Sequence, residues 1–522
     1  MELCMYEGYL RNRRELCAAL SLEPTGSRSE IERQILLEGW RRWGRSLLPR
    51  LYGSFAFVIR DTKHQELICA RDPFGLVGFY YHVTTDGRLL YGEDLSGIVN
   101  SPGFHREIDP EALQRYMEFG YPLGERTLYR GVKKLLPGRC LSFRSGVCRT
   151  ERWFKPAFRP EENVPEEQWM QEIDRTAQEI LAEDRDCFDP ARCCAFLSGG
   201  VDSSFLLAVS GVKNAVTVGF GDAGFSETRD AAATARRLGA DLREIRISPE
   251  DYFSSLPQFV RRAELPLADT AAAAFAIGCE RIAGEKTAYF SGEGADEFFA
   301  GYHVYARAEE LSKRGGAWYF GCDGVLEPEA ARRLLRQERC YPRDALVEGI
   351  CNGDVLNHML EVDITLWLEG DILFGVRRAA RSCGMDLLLP FSDPRMFALS
   401  SRIPSALKRK GDCGKYILRR TAAAYLPEET AFRPKAGFPV PVREWMRQKP
   451  WRGEVEKRLF GDSSAAIFDR ELLRQYWDAY CAGGWTEFRV VYAAYVFLVW
   501  YDTVFLETGP SGGSAAETCA KD

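Results

Sequence analysis

Apolar and polar residues alternate in short runs between Leu51 and Phe143, and turn residues break the runs, which is the period-2 pattern of half-buried strands. Residues 54–59, 67–71, 78–83 and 89–92 are the predicted strands, with Asp86-Gly87 at a hairpin turn. A Pro- and Glu-rich stretch follows, then a helix-period pattern over 167–182. From Cys193 the rhythm changes. An apolar strand over 193–197, a strand over 215–220, a helix over 228–238 and a strand over 242–247 predict βαβ units on a parallel sheet. Such sheets bind ligands at the C-terminal ends of their strands. Beyond Tyr305 the pattern is mostly helical, and the Gly-, Ser- and Ala-rich tail has no apolar period. The expected fold class is α/β in two parts: a β-rich α+β domain over 1–150, then a parallel-sheet α/β domain over 191–507 with a helical C-terminal part. Residues 151–190 form the linker and helix, and 508–522 a disordered tail.

The length of 522 residues supports at least two full cores. A net charge of -6 gives no electrostatic footprint for nucleic acid. No apolar run reaches the roughly 18 residues of a membrane span, and Met1-Glu2-Leu3-Cys4 has no signal pattern, so a cytoplasmic protein without a membrane partner is expected. The 16 cysteines show no paired metal spacing and read as reduced core residues. His64, His82, His105, His303 and His358 form no close pair, which disfavours a zinc site or a Ser-His-Asp hydrolase. Chemistry must then rest on carboxylates, lysine and phosphate-bound metal.

Ser198-Gly199-Gly200-Val201-Asp202-Ser203 joins the predicted strand 193–197 to the apolar run 205–209. A strand that ends in a Gly-Gly turn and feeds a helix aims unpaired N–H groups and the positive end of the helix dipole at one point, which suits phosphate. Asp202 is out of place beside an anion unless a divalent cation accompanies it. No GxxxxGK[ST] loop is present. A second apolar strand ends in Ser291-Gly292-Glu293-Gly294-Ala295-Asp296-Glu297, so Asp202 and Asp296 together would supply hard oxygen ligands for Mg²⁺.

The SGGxDS loop resembles the pyrophosphate loop of the ATP pyrophosphatases. With it, Ala70-Arg71-Asp72-Pro73-Phe74-Gly75, Leu136-Pro137-Gly138, the acidic turn with Ala300-Gly301-Tyr302, Pro390-Phe391-Ser392-Asp393 and Arg433-Pro434-Lys435-Ala436-Gly437-Phe438 extend the likeness. The whole is similar to asparagine synthetases of the glutamine amidotransferase type, from near residue 1 to about residue 507. The resemblance implies a class II amidotransferase-like β-sandwich domain ahead of an ATP pyrophosphatase synthetase domain. It implies a ligase that activates a carboxylate, aspartate by default, as an acyl adenylate for attack by ammonia or an amine. ATP and Mg²⁺ are the implied cofactors, a small-molecule or peptide carboxylate the substrate and a homodimer the assembly.

Residue by residue, the resemblance implies that Ser198, Gly199, Gly200, Asp202 and Ser203 hold pyrophosphate, with Asp202 and Asp296 on the metal. Leu197, Val218, Gly219, Ser291 and Gly292 would hold the rest of ATP. Glu293 and Asp371 are the implied carboxylate pair near the amine, and Lys435 the fixed charge against the oxyanion and phosphate.

The pattern breaks in two places. Glutamine-using members begin with a cysteine at residue 2, where this chain has Glu2, and it aligns as if its first strands were missing. Glu7, Tyr9 and Arg28 replace the family's oxyanion-hole asparagine, its glutamate and its glutamine-binding aspartate. An inactive, structural glutaminase half is the expectation. The stretch from Gly375 to Arg381 also departs from the family where it recognises substrate, so Arg377, Arg378 and Arg381 suggest a different carboxylate. Intramolecular closure, as in β-lactam or lasso-peptide macrolactam synthetases, and a non-catalytic regulatory role are the alternatives.

Overall fold

The computed structural model describes residues 1–522 except 222–224, 226, 309, 311–318, 322–323, 348–349, 351–353, 436, 508–516 and 520–522. The N-terminal part carries Glu2–Leu10 (β1), Gly53–Asp61 (β2), Glu66–Arg71 (β3), Tyr80–Val83 (β4), Leu89–Gly92 (β5), Lys133–Lys134 (β6), Arg139–Arg144 (β7) and Val147–Arg152 (β8). One antiparallel sheet runs β1-β2-β3-β7-β8, and a second contains β5-β4-β6. Strand β2 shows why the layers form. Its Phe55, Phe57 and Ile59 pack with Leu36 and Trp40 of the helix Arg28–Trp43, while Ala56 and Val58 pack with Phe79 and Tyr91 near or on the second sheet. Both faces of the strand are buried, so its sequence reads as a nearly continuous apolar run. This is the expected sandwich, with helices on one outer face.

The second part is built on Cys193–Phe196 (β9), Asn214–Phe220 (β10), Asp241–Ile247 (β11), Ala288–Phe290 (β12) and Asp386–Leu388 (β13). All pair in parallel, in the order β11-β10-β9-β12-β13. The chain goes one way from β9 through β10 to β11, then returns to the other side of β9 with β12. Ligands bind at such a switch point, beyond the strand ends. Two larger apolar clusters cover the faces of this sheet.

Three details depart from the sequence expectation. The helix Glu166–Cys187 buries Trp169, Ile173, Ile180 and Leu181 in the same cluster as Leu206 and Phe290, so it belongs to the second core rather than to a linker. Within the tail expected to lack structure, Glu517–Cys519 pairs antiparallel with β5; the rest of 508–522 lies outside the described residues. Among the described residues one helix, Trp485–Phe505, is long and apolar enough to cross a membrane, against the expectation of none, and 67% of its apolar window is buried inside the protein. That burial accounts for its composition as a core helix.

Buried ion pairs join the two parts. Arg11 donates from Nε to Asp184 Oδ1 at 2.7 Å and from Nη1 to Asp393 Oδ2 at 3.0 Å, all three side chains fully buried. Glu369 accepts from Arg71 at 3.0 Å and from Lys134 at 2.6 Å. Removing one partner from such a pair costs about 3–5 kcal/mol, because the other charge is left in a low dielectric.

Candidate active site

At the switch point the loop after β9 and the loop after β12 face one cavity of about 370 Å³. That is within the range of small-molecule sites, about 300–1,000 Å³. Leu197, Ser198, Gly200, Asp202, Ser203, Val218, Ser291, Gly292, Glu293, Asp296, Asp371 and Lys435 all line it. Gly199 and Gly219, also named from the sequence, are not among its lining residues. Gly199 turns its carbonyl to Arg433 Nη1 at 2.6 Å, and Gly219 lies within β10 opposite Arg246 of β11.

The phosphate-type loop starts the helix Val201–Ser210. Its hydroxyls hold its own backbone: Ser198 N donates to Ser203 Oγ and Gly200 N to Ser198 Oγ, both at 3.2 Å. Across from it Gly294 has φ +96°, and a Cβ there would stand 2.5 Å from Ser392 Oγ, so the acidic turn needs glycine. Ser392 Oγ in turn donates to the Glu293 carbonyl at 2.9 Å.

A side chain that belongs to no motif read from the sequence sits at the centre. Lys415 Nζ is 2.5 Å from Asp202 Oδ2 and 2.8 Å from Asp296 Oδ1, with the side chain 2% exposed. Lys435 Nζ lies 2.6 Å from the other oxygen of Asp296, over the Tyr302 ring at 4.5 Å. Burial acts to raise the Asp296 carboxyl, but Lys415 and Lys435 outweigh it and hold it far below the usual range. Burial acts to lower Lys415, and the two aspartates outweigh that in turn, so it stays an ammonium. The approach requires Gly301, where a Cβ would fall 1.8 Å from Asp296 Oδ1 and 2.3 Å from Lys415 Cε. The Ala300-Gly301-Tyr302 motif thus keeps the cation bridge open.

Glu293 behaves differently. Burial pushes its carboxyl up to about 6, Asp296 and Asp202 add to the rise, and a 3.0 Å hydrogen bond from Ser291 Oγ opposes it. A π-helical segment, Ile364–Ile372, brings Trp367 and Asp371 to the cavity, with Trp367 Nε1 donating to Asp371 Oδ2 at 2.6 Å. Glu369 of the same segment is the buried partner of Arg71 and Lys134, so the first domain holds the element that carries Asp371.

The donor set fits a nucleotide-borne cation rather than a resident one. Among the described residues no group of three or more His, Cys, Asp or Glu is arranged to hold a metal. Asp202 Oδ1 is buried without a hydrogen-bond partner among the described residues, and it lines the cavity. Mg²⁺ characteristically takes one or two carboxylates and completes its octahedron with phosphate and water oxygens.

One expectation is overturned. Arg377, Arg378 and Arg381 do not line the cavity; Gly375 and Val376 of their helix do. The three arginines share the opposite face, which packs on the first domain. Arg377 donates to the Gly75 carbonyl at 2.9 Å, Arg378 to Asp94 at 2.6 Å, and Arg381 to Asp94 at 2.9 Å, with Glu93 and Glu7 also beside Arg381. Tyr9 and Arg28, singled out from the sequence, serve the same junction. Tyr9 donates to Asp184 at 3.3 Å, and Arg28 lies 3.3 Å from Asp386 and over the Phe188 ring.

Comparison with known proteins agrees with this architecture. The Asparagine synthase family model matches residues 184–502, and the Glutamine amidotransferase domain model matches residues 2–154. Asparagine synthetase [glutamine-hydrolyzing] 1 of Bacillus subtilis is 29% identical over 544 residues, covering 95% of this chain and 85% of that protein. Asparagine synthetase [glutamine-hydrolyzing] 3 of the same organism is 24% identical, with 85% and 77% covered. Amidase chyE of Penicillium rubens is 28% identical over 508 residues, with 79% and 73% covered. With a Gly-Gly loop and an acidic loop meeting at the switch point of its parallel sheet, this chain belongs to the asparagine synthase family of carbon–nitrogen ligases.

Proposed function

We propose that the chain is an ATP-dependent amide-forming ligase. A substrate carboxylate oxygen attacks the α-phosphorus of ATP, the bond to the β-phosphate breaks, and pyrophosphate leaves. Ammonia or an amine then attacks the acyl carbon, loses a proton, and displaces AMP. One observation carries this reading: Asp202, Asp296, Lys415 and Lys435 interlock at the strand ends beside Glu293, in a cavity walled by the Ser198–Ser203 loop.

Each residue has a step that its surroundings support. The N-terminus of the helix Val201–Ser210 and its serine hydroxyls receive the phosphates. Lys415 and Lys435 are the fixed cations that offset charge on the departing pyrophosphate and the acyl oxyanion; a single such donor is worth about 2.7–4 kcal/mol. Mg²⁺ arriving with the nucleotide would be held by Asp202 and Asp296 and would neutralise phosphate charge. Glu293, raised to about 6, is ionised at neutral pH yet basic enough to take the proton of the attacking nitrogen. Asp371, which lines the same cavity, is the second acid for that proton.

The N-terminal domain is read as structural, not glutamine-hydrolysing. Glu7, Tyr9 and Arg28 are engaged in ion pairs or hydrogen bonds to the synthase part, and a cation at Arg28 repels a glutamine ammonium. The test is pyrophosphate release from Mg-ATP with a carboxylate panel plus ammonia, with Asp202→Ala as control. If the wild-type chain neither binds Mg-ATP nor releases pyrophosphate with any carboxylate, the reading fails.

A further inference from the structure

The chain after β10 brings a further acid, Glu227, to the main cavity. It stands at the N-cap of the helix Thr228–Leu238, where a side-chain oxygen can accept from the first turn, yet its side chain makes no cap hydrogen bond. Its backbone carbonyl accepts instead, from Asp230 N at 3.1 Å and Ala231 N at 3.0 Å. The carboxyl is thereby left for the cavity, which it lines, and its Oε2 is buried without a hydrogen-bond partner among the described residues. An unpaired buried oxygen destabilises the chain until a ligand group meets it.

The surroundings of Glu227 are those of the Gly-Gly loop. A Cβ at Gly199 would stand 2.8 Å from Asp230 Cβ and 3.0 Å from Ala231 N, so the first turn of this helix lies directly against that loop. Arg433 ties the two together, donating to the Gly199 carbonyl at 2.6 Å and lying 3.4 Å from Asp230. The charged groups that act on Glu227 are Asp230 on its own helix and Lys435 and Arg433 on the segment packed against it. Burial pushes its carboxyl up to about 7, Asp230 adds to the rise, and the two cations oppose it. Mg-ATP brings net negative charge to this neighbourhood. A carboxylate there repels it, whereas a carboxylic acid can donate to a phosphate oxygen.

We infer that Glu227 is a phosphate-binding residue, which holds the β,γ end of ATP and the pyrophosphate formed from it by donating from its neutral carboxyl to a phosphate oxygen. This rests on the ligase reading above. Binding then takes up a proton wherever free Glu227 is ionised, so affinity is full below pH 7 and falls above it. The test is calorimetry on the full chain with Mg-ATP, Mg-pyrophosphate and AMP, at pH 7 and pH 8.5, in buffers of different ionisation enthalpy. The wild type should bind Mg-ATP and Mg-pyrophosphate about tenfold more weakly at pH 8.5 than at pH 7, with about one proton taken up per site at the higher pH. AMP, which lacks the β and γ phosphates, should show neither effect. Glu227→Gln keeps a donor at every pH. Its affinity for Mg-ATP should change by less than about threefold between the two pH values and exceed that of the wild type at pH 8.5 by about fivefold or more. Unchanged AMP binding reports that the variant is folded. Glu297, which burial and Asp296 also raise, stays in place, so proton uptake that survives in Glu227→Gln belongs elsewhere and overturns the inference. Absence of proton uptake in the wild type overturns it without any variant. So does a variant that binds Mg-ATP more weakly at both pH values, as loss of a cation ligand would give, or one that shifts AMP as strongly as ATP, as a ribose contact would give. Wild-type chain that fails to bind Mg-ATP overturns the ligase reading and this inference with it; Mg-ATP binding that Glu227→Gln leaves unaltered removes only the role of Glu227.

Discussion

Glu293→Gln separates a catalytic carboxylate from a structural one, because the two roles move stability and rate in opposite directions. Burial is the main reason the carboxyl stands at about 6 rather than 4.5. At about 1.4 kcal/mol per pH unit, its ionised form is about 2 kcal/mol less stable in the folded chain than in the unfolded one. The sign follows from proton linkage. A raised carboxyl binds its proton more tightly when folded, so the penalty is full above pH 6 and disappears below about 4.5. Glu293→Gln removes the charge and keeps the acceptor for Ser291, so unfolding free energy at pH 8 should rise by up to about 2 kcal/mol. Amide formation should fall by about 10²–10⁴, the worth of a general base. Urea unfolding at pH 5 and pH 8 gives the first quantity. ATP–pyrophosphate exchange, which reports adenylation alone, against single-turnover amide formation gives the second. Wild-type amide formation should also lose rate below an apparent pKa near 6, and the variant should lack that limb. A variant less stable at pH 8, or one in which exchange and amide formation fall equally, would refute the assignment.

Lys415→Met removes the cation that bridges Asp202 and Asp296 and leaves Lys435 on Asp296 alone, so stability should fall by about 3–5 kcal/mol in urea. Pyrophosphate exchange should fall by about 10²–10³, and an unchanged exchange rate in folded variant would count against the phosphate role. Gly301→Ala forces the Asp296 and Lys415 side chains apart, with at least a tenfold loss of Mg-ATP affinity expected by calorimetry. The Glu369 carboxyl is held down to about 2: burial works to raise it, but Lys134 and Arg71 dominate. Its contribution to stability, about 3 kcal/mol from the shift, is present above pH 4.5 and lost as pH falls toward 2; burial lowers Lys134 in the same cluster, which makes the net gain smaller. Glu369→Gln should flatten that acid limb in unfolding measured against pH. Glutamine hydrolysis should stay at background, and activity above it would contradict the structural reading of Glu7, Tyr9 and Arg28.

The parallel-sheet region was the most legible part of the chain. The strand expected over 215–220 is Asn214–Phe220, and the helix over 228–238 is Thr228–Leu238. Strand and helix periods are local, and glycine at the strand ends marks where the chain must turn. The first domain was legible in its hairpins but not in its helices Arg13–Leu20 and Arg28–Trp43, whose charged outer faces mask a narrow buried stripe of Ile35, Leu36 and Trp40. Arg377, Arg378 and Arg381 misled for a related reason. A run of basic residues beside a substrate motif looks like part of a site, yet adjacent helical positions point to different faces, and theirs meets Asp94 and Glu93 of another domain.

What the sequence determined by itself is the pair of loops that line the main cavity, because a strand end, two glycines and an acid within a few residues constrain the backbone wherever the rest of the chain goes. The tertiary structure alone decided how those loops are charged and what lies beside them. Lys415 bridges an aspartate 213 positions earlier and another 119 positions earlier. A smaller cavity of about 160 Å³ forms where the first domain, residues 268–270, the π-helical segment with Asp371 and the helix Trp485–Trp500 come together. Both depend on strand order and helix docking, which are set by the burial of apolar surface across the whole molecule and leave no local period for a sequence to display.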